Sequence, residues 1–248
     1  MHSAVIIPTY NESGNIERLV NEILALQINT QVIVVDDNSP DGTGEIVESI
    51  SVREPKVLCI HRPSKLGLGT AHIAGMRCAL EMKCDAVITM DADFSHRPSY
   101  IPSLIAGFDR FDVVIGSRYA AGGGIRGRSL SLRLVSLAAN LFARIVLGIK
   151  ATDCTAGFRA YRNSVLEAID LDRVFSNGYS FLIELLFLCQ VHGWRIGEVP
   201  IIYEDRLTGR SKISRIEIYK AVYTVLRLTW RRLRGFRNRI LFRSNINQ

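Results

Sequence analysis

In the stretch 87–98, VITMDADFSHRP, a run of apolar, β-prone residues ends in two aspartates one residue apart. Residues i and i+2 of a strand face the same way, so Asp91 and Asp93 at the open end of a strand would point into one cleft. Two carboxylates that close repel unless a cation lies between them or one takes up a proton. A hard divalent cation with oxygen ligands, Mg²⁺ or Mn²⁺, satisfies both and commonly bridges carboxylates to phosphates. A pair of solvated turn aspartates would look the same in isolation. The reading therefore depends on what accompanies the pair.

Other strand ends carry polar chemistry too. AVIIP runs into Thr9-Tyr10-Asn11-Glu12, QVIVV into Asp36-Asp37-Asn38-Ser39, and DVVIG into Ser117-Arg118. A weaker run, KVLCIHR, lies between the second and third strands. The segments between them repeat apolar residues at helical spacing, as in Ile16, Leu19, Val20, Ile23 and Leu24. Val- and Ile-rich strands alternating with helices predict an α/β fold with a mostly parallel twisted sheet covered on both faces. Ligands of such sheets sit beyond the carboxyl ends of the strands.

The second half changes character. A basic glycine-rich loop, GGGIRGR, precedes a helical stretch over 130–149, then TDCTAGFRAYR, an apolar helix YSFLIELLFLC and a strand WRIGEVPIIYED. Arg144 and Glu184 interrupt the two longest apolar runs, so no membrane-spanning segment is expected. A secretory signal is not expected either, since SAVIIPTYNE follows Met1 directly. The five cysteines show no CxxC pairing and read as buried free thiols.

Of the 248 residues, the 43 from Arg206 onward hold twelve Lys or Arg and one acid, Glu217, a net +11. That leaves −4 for the rest of the chain's total of +7. A mildly acidic body with a strongly basic tail points to an anionic partner. The tail, about 213–236, reads as a basic amphipathic helix with Lys220, Arg227, Arg231 and Arg234 on one stripe. Ile218, Val222, Val225, Leu226, Leu233 and Phe236 lie opposite. Its apolar side would either pack on the domain or lie in an anionic membrane interface. No nucleic-acid-binding module accompanies the charge, so no nucleic-acid partner is expected.

The motifs VIIPTYNESGNIERLV, VIVVDDNSPDGTGEIV, RPSKLGLGTAHIAGM, MDADFSHRPSYIP, VIGSRY, DCTAGFRAYR and EVPIIYEDRLTGRSKI occur in this order over residues 3–215. Together they resemble the polyprenol-phosphate mannosyltransferases, the dolichol-phosphate mannose synthase branch of the family 2 glycosyltransferases. The resemblance implies a GT-A type nucleotide-sugar binding domain over 1–212, with 213–248 as a membrane-interface tail. It implies GDP-mannose as donor, a polyprenyl or dolichyl phosphate as acceptor, Mg²⁺ or Mn²⁺, and a peripheral place on the cytoplasmic face of a membrane. Small membrane-anchoring subunits serve some single-domain relatives. Carried over by position, the donor site would comprise Pro8, Tyr10, Glu12, Val35, Asp37, Asp91, Ala92, Asp93, Arg118, Arg206 and Lys212. Asp93, Arg118 and Lys212 would carry the catalytic roles, and Asp91, Asp93 and Ser95 the metal. Some relatives have an amide where Ser95 stands. The QxxRW motif of the processive polysaccharide synthases is missing, which implies a single transfer per encounter.

The residues support a transferase on their own terms. A departing sugar diphosphate needs its charge neutralised, whereas a lipid-phosphate acceptor is already ionised and needs positioning rather than a strong base. Arg126 and Arg128 in the glycine-rich loop are candidates to grip that phosphate, though a solvated loop would look the same. His96 reads as structural or supporting, Asp153 as a base, an orienting group or, more simply, a loop hydrogen-bond acceptor. A UDP-linked glucose or N-acetylhexosamine donor, or a non-lipid acceptor, is the alternative.

Overall fold

The computed structural model describes residues 1–205 and 215–244, with side chains of the last helix described through Leu233. In chain order the strands are β1 (Ser3–Thr9), β2 (Thr30–Asp36), β3 (Val57–His61), β4 (Ala86–Thr89), β5 (Val113–Ser117), β6 (Gly124–Arg126), β7 (Arg159–Arg162), β8 (Ile196–Pro200) and β9 (Ile202–Glu204). The helices are α1 (Ile16–Leu24), α2 (Thr43–Ser51), α3 (Leu68–Glu81), α4 (Ile101–Ala106), α5 (Leu130–Leu147), α6 (Asn163–Ala168), α7 (Ser180–Val191) and α8 (Arg215–Ser244).

Seven strands form one sheet in the order β3-β2-β1-β4-β7-β5-β8. All its pairings are parallel except those of β7, which runs antiparallel between β4 and β5. Alternation on β1 explains the two covered faces. Val5 and Ile7 join Ile16, Leu19, Leu104 and Phe108 on the side of α1, α2 and α4. Ala4 and Ile6 join Met76, Phe181 and Leu185 on the side of α3, α6 and α7. Gly75 lets α3 press onto the sheet, since a Cβ there would lie 2.5 Å from Ile6.

A third apolar cluster joins α5, α7 and α8 through Ala143, Leu147, Ile183, Leu186, Val225 and Leu228. Helix α7 is buried almost all round, and its fully buried Glu184 accepts N–H bonds from Phe175 and Ser176, which fixes the preceding loop. Helix α5 buries Ser136, Asn140, Ala143 and Leu147 and turns Leu130, Leu134, Leu137, Leu141 and Ile145 outward. The break at Arg144 does not shorten it: α5 is long and apolar enough, by length and composition, to cross a membrane. Arg232 of α8 donates to the Leu147 carbonyl and so caps α5.

Helix α8 does not divide into one apolar and one basic side. Val225 and Leu228 are buried, while Ile218, Val222, Leu226 and Leu233 face outward. Arg227 and Arg231 stack their guanidiniums over Phe175 at 3.9 and 5.0 Å. The side chains of Arg234 and Phe236 lie outside the described residues.

Candidate active site

Strand β4 ends at Thr89, so Asp91 and Asp93 belong to the turn beyond it rather than to the strand. Phe94, in the left-handed region at φ 60°, bends this turn. The Ser95 N–H then donates to Asp93 Oδ1 at 3.1 Å. Both aspartates reach one cavity through this turn rather than through strand alternation. Asp93 is buried. The Asp91 N–H donates to His96 Nδ1 at 3.4 Å. The His96 ring stacks on Phe158, and burial lowers its pKa despite the nearby Asp91 and Asp93. His96 is thus a neutral support beneath the pair.

The first cavity encloses about 450 Å³ beyond the ends of β1 and β2, with Asp91, Ala92 and Asp93 on its floor. Pro8, Tyr10, Glu12 and Asp37, candidates for the donor site, line it as well. Lys65 lies 3.8 Å above the Tyr10 ring, and Glu12 accepts from the Asn15 side chain. Asp37 is pushed up by burial, against the pull of the Gly67 N–H and of Arg62, whose Nε lies 3.0 Å away. The adjacent Asp36 is structural, accepting from Thr9 and from the Ser39 N–H. The loop 177–179, with Glu217 and Lys220 of α8, closes the far wall.

The second cavity, about 410 Å³, lies between α5, α7 and α8. Its walls are apolar, with Val135, Ala139, Phe142, Ile183, Val222 and Val225 among them. Its inner end is polar: Asp91, His96, Arg118, Arg128 and Tyr203. Asp91, Tyr179 and Glu217 line both cavities, so the two meet at Asp91.

Arg118 is locked in place. Its Nε and Nη2 donate to the two oxygens of Asp153 at 2.7 and 2.6 Å, and Nη2 also reaches Thr155. Burial works to raise Asp153, but Arg118 holds it below the usual carboxylate range. Glu198 in turn accepts from the backbone N–H groups of Thr152 and Asp153. Asp153 is therefore an orienting group, not a base. Arg128 differs. Only 8% exposed, it has no hydrogen bond or ion pair among the described residues, and its Nε is buried without a partner. A buried cation without an ion-pair partner is costly, which makes Arg128 a candidate to meet an anion.

Several positions stand away from their implied places. Val35 is fully buried in the core on the α3 side and lines neither cavity, because its strand carries it inward while Asp37 lies beyond the strand end. Arg118 lines the apolar cavity rather than the first one, drawn there by Asp153. Ser95 is fully buried, lines neither cavity and serves the turn through its backbone. Arg126 is exposed on β6, leaving Arg128 as the loop arginine in the cavity. Arg206 and Lys212 lie outside the described residues. Asn177, Tyr179 and Glu217 reach the cavities without any motif marking them beforehand, whereas Lys65 and Tyr203 lie within RPSKLGLGTAHIAGM and EVPIIYEDRLTGRSKI, and Lys220 belongs to the basic stripe of the tail.

A divalent cation fits the aspartate pair by donor chemistry. Among the described residues no group of three or more His, Cys, Asp or Glu side chains could hold a metal. A cation here would take carboxylate oxygens from Asp91 and Asp93 and complete its shell from a diphosphate and water. That is the habit of Mg²⁺ and Mn²⁺ rather than of zinc.

Residues 4–170 match the model of the family described as glycosyl transferase family 2. The chain belongs to the family 2 glycosyltransferases. It is thus an enzyme of sugar transfer, and its fold is of the GT-A type. This glycosyltransferase is 42% identical over 227 residues to the undecaprenyl-phosphate mannosyltransferase of Micrococcus luteus, covering 92% of this chain and 93% of that one. It is 41% identical over 223 residues to the polyprenol monophosphomannose synthase of Mycolicibacterium smegmatis, covering 89% and 84%. Among solved structures it resembles glucosyl-3-phosphoglycerate synthase from Mycobacterium tuberculosis with Mn²⁺ and UDP-glucose, at TM-score 0.64 and 20% identity over 91% of this chain and 78% of that one. A mannosyltransferase from Pyrobaculum calidifontis with GDP-Man and Mn²⁺ superposes at TM-score 0.56 and 18% identity, covering 85% and 58%. At those identities the likeness is one of fold.

Proposed function

We propose that this glycosyltransferase moves mannose from GDP-mannose to a polyprenyl or dolichyl phosphate, inverting the anomeric carbon to give a β-linked product. The observation that carries the reading is the meeting of two unlike cavities at Asp91. The carboxylate-rich one suits a sugar nucleotide with its cation. The apolar one, ending on Arg118 and the unpaired Arg128, suits a lipid whose head is a phosphate. The names of the two curated relatives support the same substrates.

Asp91 and Asp93 would hold Mg²⁺ or Mn²⁺, which when bound neutralises charge developing on the departing diphosphate. Tyr10 and Asp37 would frame the nucleoside, with Lys65 covering Tyr10. Arg118 and Arg128 would aim the acceptor phosphate across Asp91 at the sugar. The phosphate attacks as an anion, so the site needs alignment rather than a base. That agrees with a neutral, buried His96 and an Asp153 already committed to Arg118.

The outward apolar stripe of α5 lies on the helix that walls the lipid cavity, as do Tyr219, Val222, Tyr223 and Trp230 of α8. Lying flat on a membrane would bury both surfaces, and the +11 tail would attract anionic lipid. Because α5 seals its other face on the domain, a peripheral position fits it better than a crossing.

The test is to incubate the purified chain with labelled GDP-mannose, polyprenyl phosphate and Mg²⁺ or Mn²⁺, with UDP-glucose and UDP-N-acetylglucosamine in parallel. The expected result is organic-phase label from GDP-mannose alone. Label from a UDP-sugar instead would replace the donor, and no lipid-linked product from any sugar nucleotide would overturn the reading.

A further inference from the structure

We infer that Tyr203 is a positioning residue that holds two guanidiniums ready for one phosphate without consuming their hydrogen-bond donors. The inference rests on the reading of the apolar cavity as a lipid-phosphate site, and it begins with a short piece of backbone. Strands β6 and β9 pair in parallel with Ile125 opposite Tyr203. Gly127, at φ +76°, then turns the chain so that Arg128 comes back towards the same tyrosine. The guanidinium carbon of Arg128 lies 5.7 Å from the centre of the Tyr203 ring, and that of Arg118 lies 5.6 Å from it. The ring itself is braced by an edge-on contact with His96 at 5.8 Å.

Two like charges share one aromatic side chain, and the physics of that contact decides what it can do. A ring face attracts a cation through its quadrupole. It accepts no conventional hydrogen bond from the N–H groups at the guanidinium edge, whereas a carboxylate would occupy those donors, as Asp153 does on one edge of Arg118. Arg128 is therefore held buried with its donors unspent among the described residues. A phosphate entering between the two guanidiniums would find both in place and displace no acid. The tyrosine hydroxyl is not needed for this, and burial, with Asp91 and Asp93 nearby, keeps it protonated.

The experiment compares Tyr203→Phe with Tyr203→Leu in the full chain, measuring kcat and KM for polyprenyl phosphate and for the sugar nucleotide separately. Tyr203→Leu is expected to raise the acceptor KM roughly tenfold while the donor KM stays within about twofold. Tyr203→Phe keeps the ring and is expected to stay within about twofold of wild type on both. In an Arg128→Ala background the effect of Tyr203→Leu on the acceptor KM should shrink, because much of it acts through Arg128. A Tyr203→Phe defect as large as that of Tyr203→Leu would overturn the inference, as would equal rises in both KM values or full additivity with Arg128→Ala. If Tyr203→Leu does not fold, Tyr203→Met replaces it in the same cycle. Wild-type transfer to lipid phosphate with an unchanged Tyr203→Leu acceptor KM would sink the tyrosine's role alone. Absence of any wild-type transfer to lipid phosphate would sink the site reading beneath it.

Discussion

The two cavities differ little in size, at about 450 and 410 Å³, yet they are assembled in opposite ways. The first cavity takes most of its carboxylates and Tyr10 from three short segments at the ends of β1, β2 and β4, each continuous with a strand, and the rest of its walls from residues 65–71, 177–179 and α8. The second cavity gathers residues from α5, α7, α8, β9 and six separate loops. Parallel strand ends present polar residues in consecutive runs, whereas a cavity between helices is contributed one turn at a time. The first kind of site is written locally and the second exists only after packing. Mutations should reflect that: the first cavity should govern the donor, the second the acceptor, and Asp91 and Asp93 both.

The largest effect should come from the carboxylate pair. Asp93→Ala is expected to lower kcat by roughly 10²–10³. Chelation of divalent cations should abolish wild-type turnover, and Mg²⁺ or Mn²⁺ should restore it. Retained turnover in Asp93→Ala would separate the aspartates from the chemistry.

Next comes the brace on the acceptor side. Asp153→Ala leaves Arg118 buried without its partner and should cost about 3–5 kcal/mol of stability in a denaturant titration. The pH dependence has a defined sign. Asp153 is held below its ordinary value in the folded chain. Its contribution is therefore fully present above the unfolded carboxylate pKa of about 3.9 and is lost as pH falls through the folded value. Acid unfolding of the wild type with no inflection absent from Asp153→Asn would contradict this.

Two smaller effects sharpen the contrast between the cavities. Arg128→Ala should raise the acceptor KM roughly 10–100-fold and leave the donor KM nearly unchanged, the size of one or two charge-assisted hydrogen bonds. Asp37→Asn should do the reverse, raising the donor KM by roughly tenfold through the loss of one such bond. Steady-state kinetics with each substrate varied in turn checks both, and a shift of both constants in either variant would merge the two sites. Smallest of all, Leu141→Ser on the outward stripe of α5 should weaken vesicle binding by a few-fold, by flotation, and leave melting unaffected, since Leu141 is half exposed.

The same contrast explains what could be read before the structure was known. Strands β1 to β5 and β8 announce themselves as Val- and Ile-rich runs, and the family resemblance, carried by motifs at their ends, implied Pro8, Tyr10, Glu12, Asp37, Asp91, Ala92 and Asp93. Strand β7 does not: it is four residues, RAYR, and its Arg159 is fully buried by donating to the carbonyls of Leu182 and Cys154. A charged residue in a short strand carries no periodic signal. Arg118 was legible as a site residue but not as an acceptor-side one, because Asp153, which turns it, lies 35 residues away. Helix α8 misled for another reason. Apolar residues occupy both its buried side, Val225 and Leu228, and its outward side, Val222 and Leu226, so spacing alone merges two faces into one. Tyr203 lies within EVPIIYEDRLTGRSKI, but its place between two arginines was not legible, because a three-residue strand pair sets it there.

Photoaffinity labelling of one preparation with an azido guanine nucleotide and with a benzophenone-tagged polyprenyl phosphate tests the two-cavity account most directly. The account predicts nucleotide label on peptides containing Tyr10 or Lys65, lipid label on peptides from α5 and α8, and no exchange between them. Both probes marking a single set of peptides, or the lipid probe marking the Tyr10 and Lys65 peptides, would contradict it.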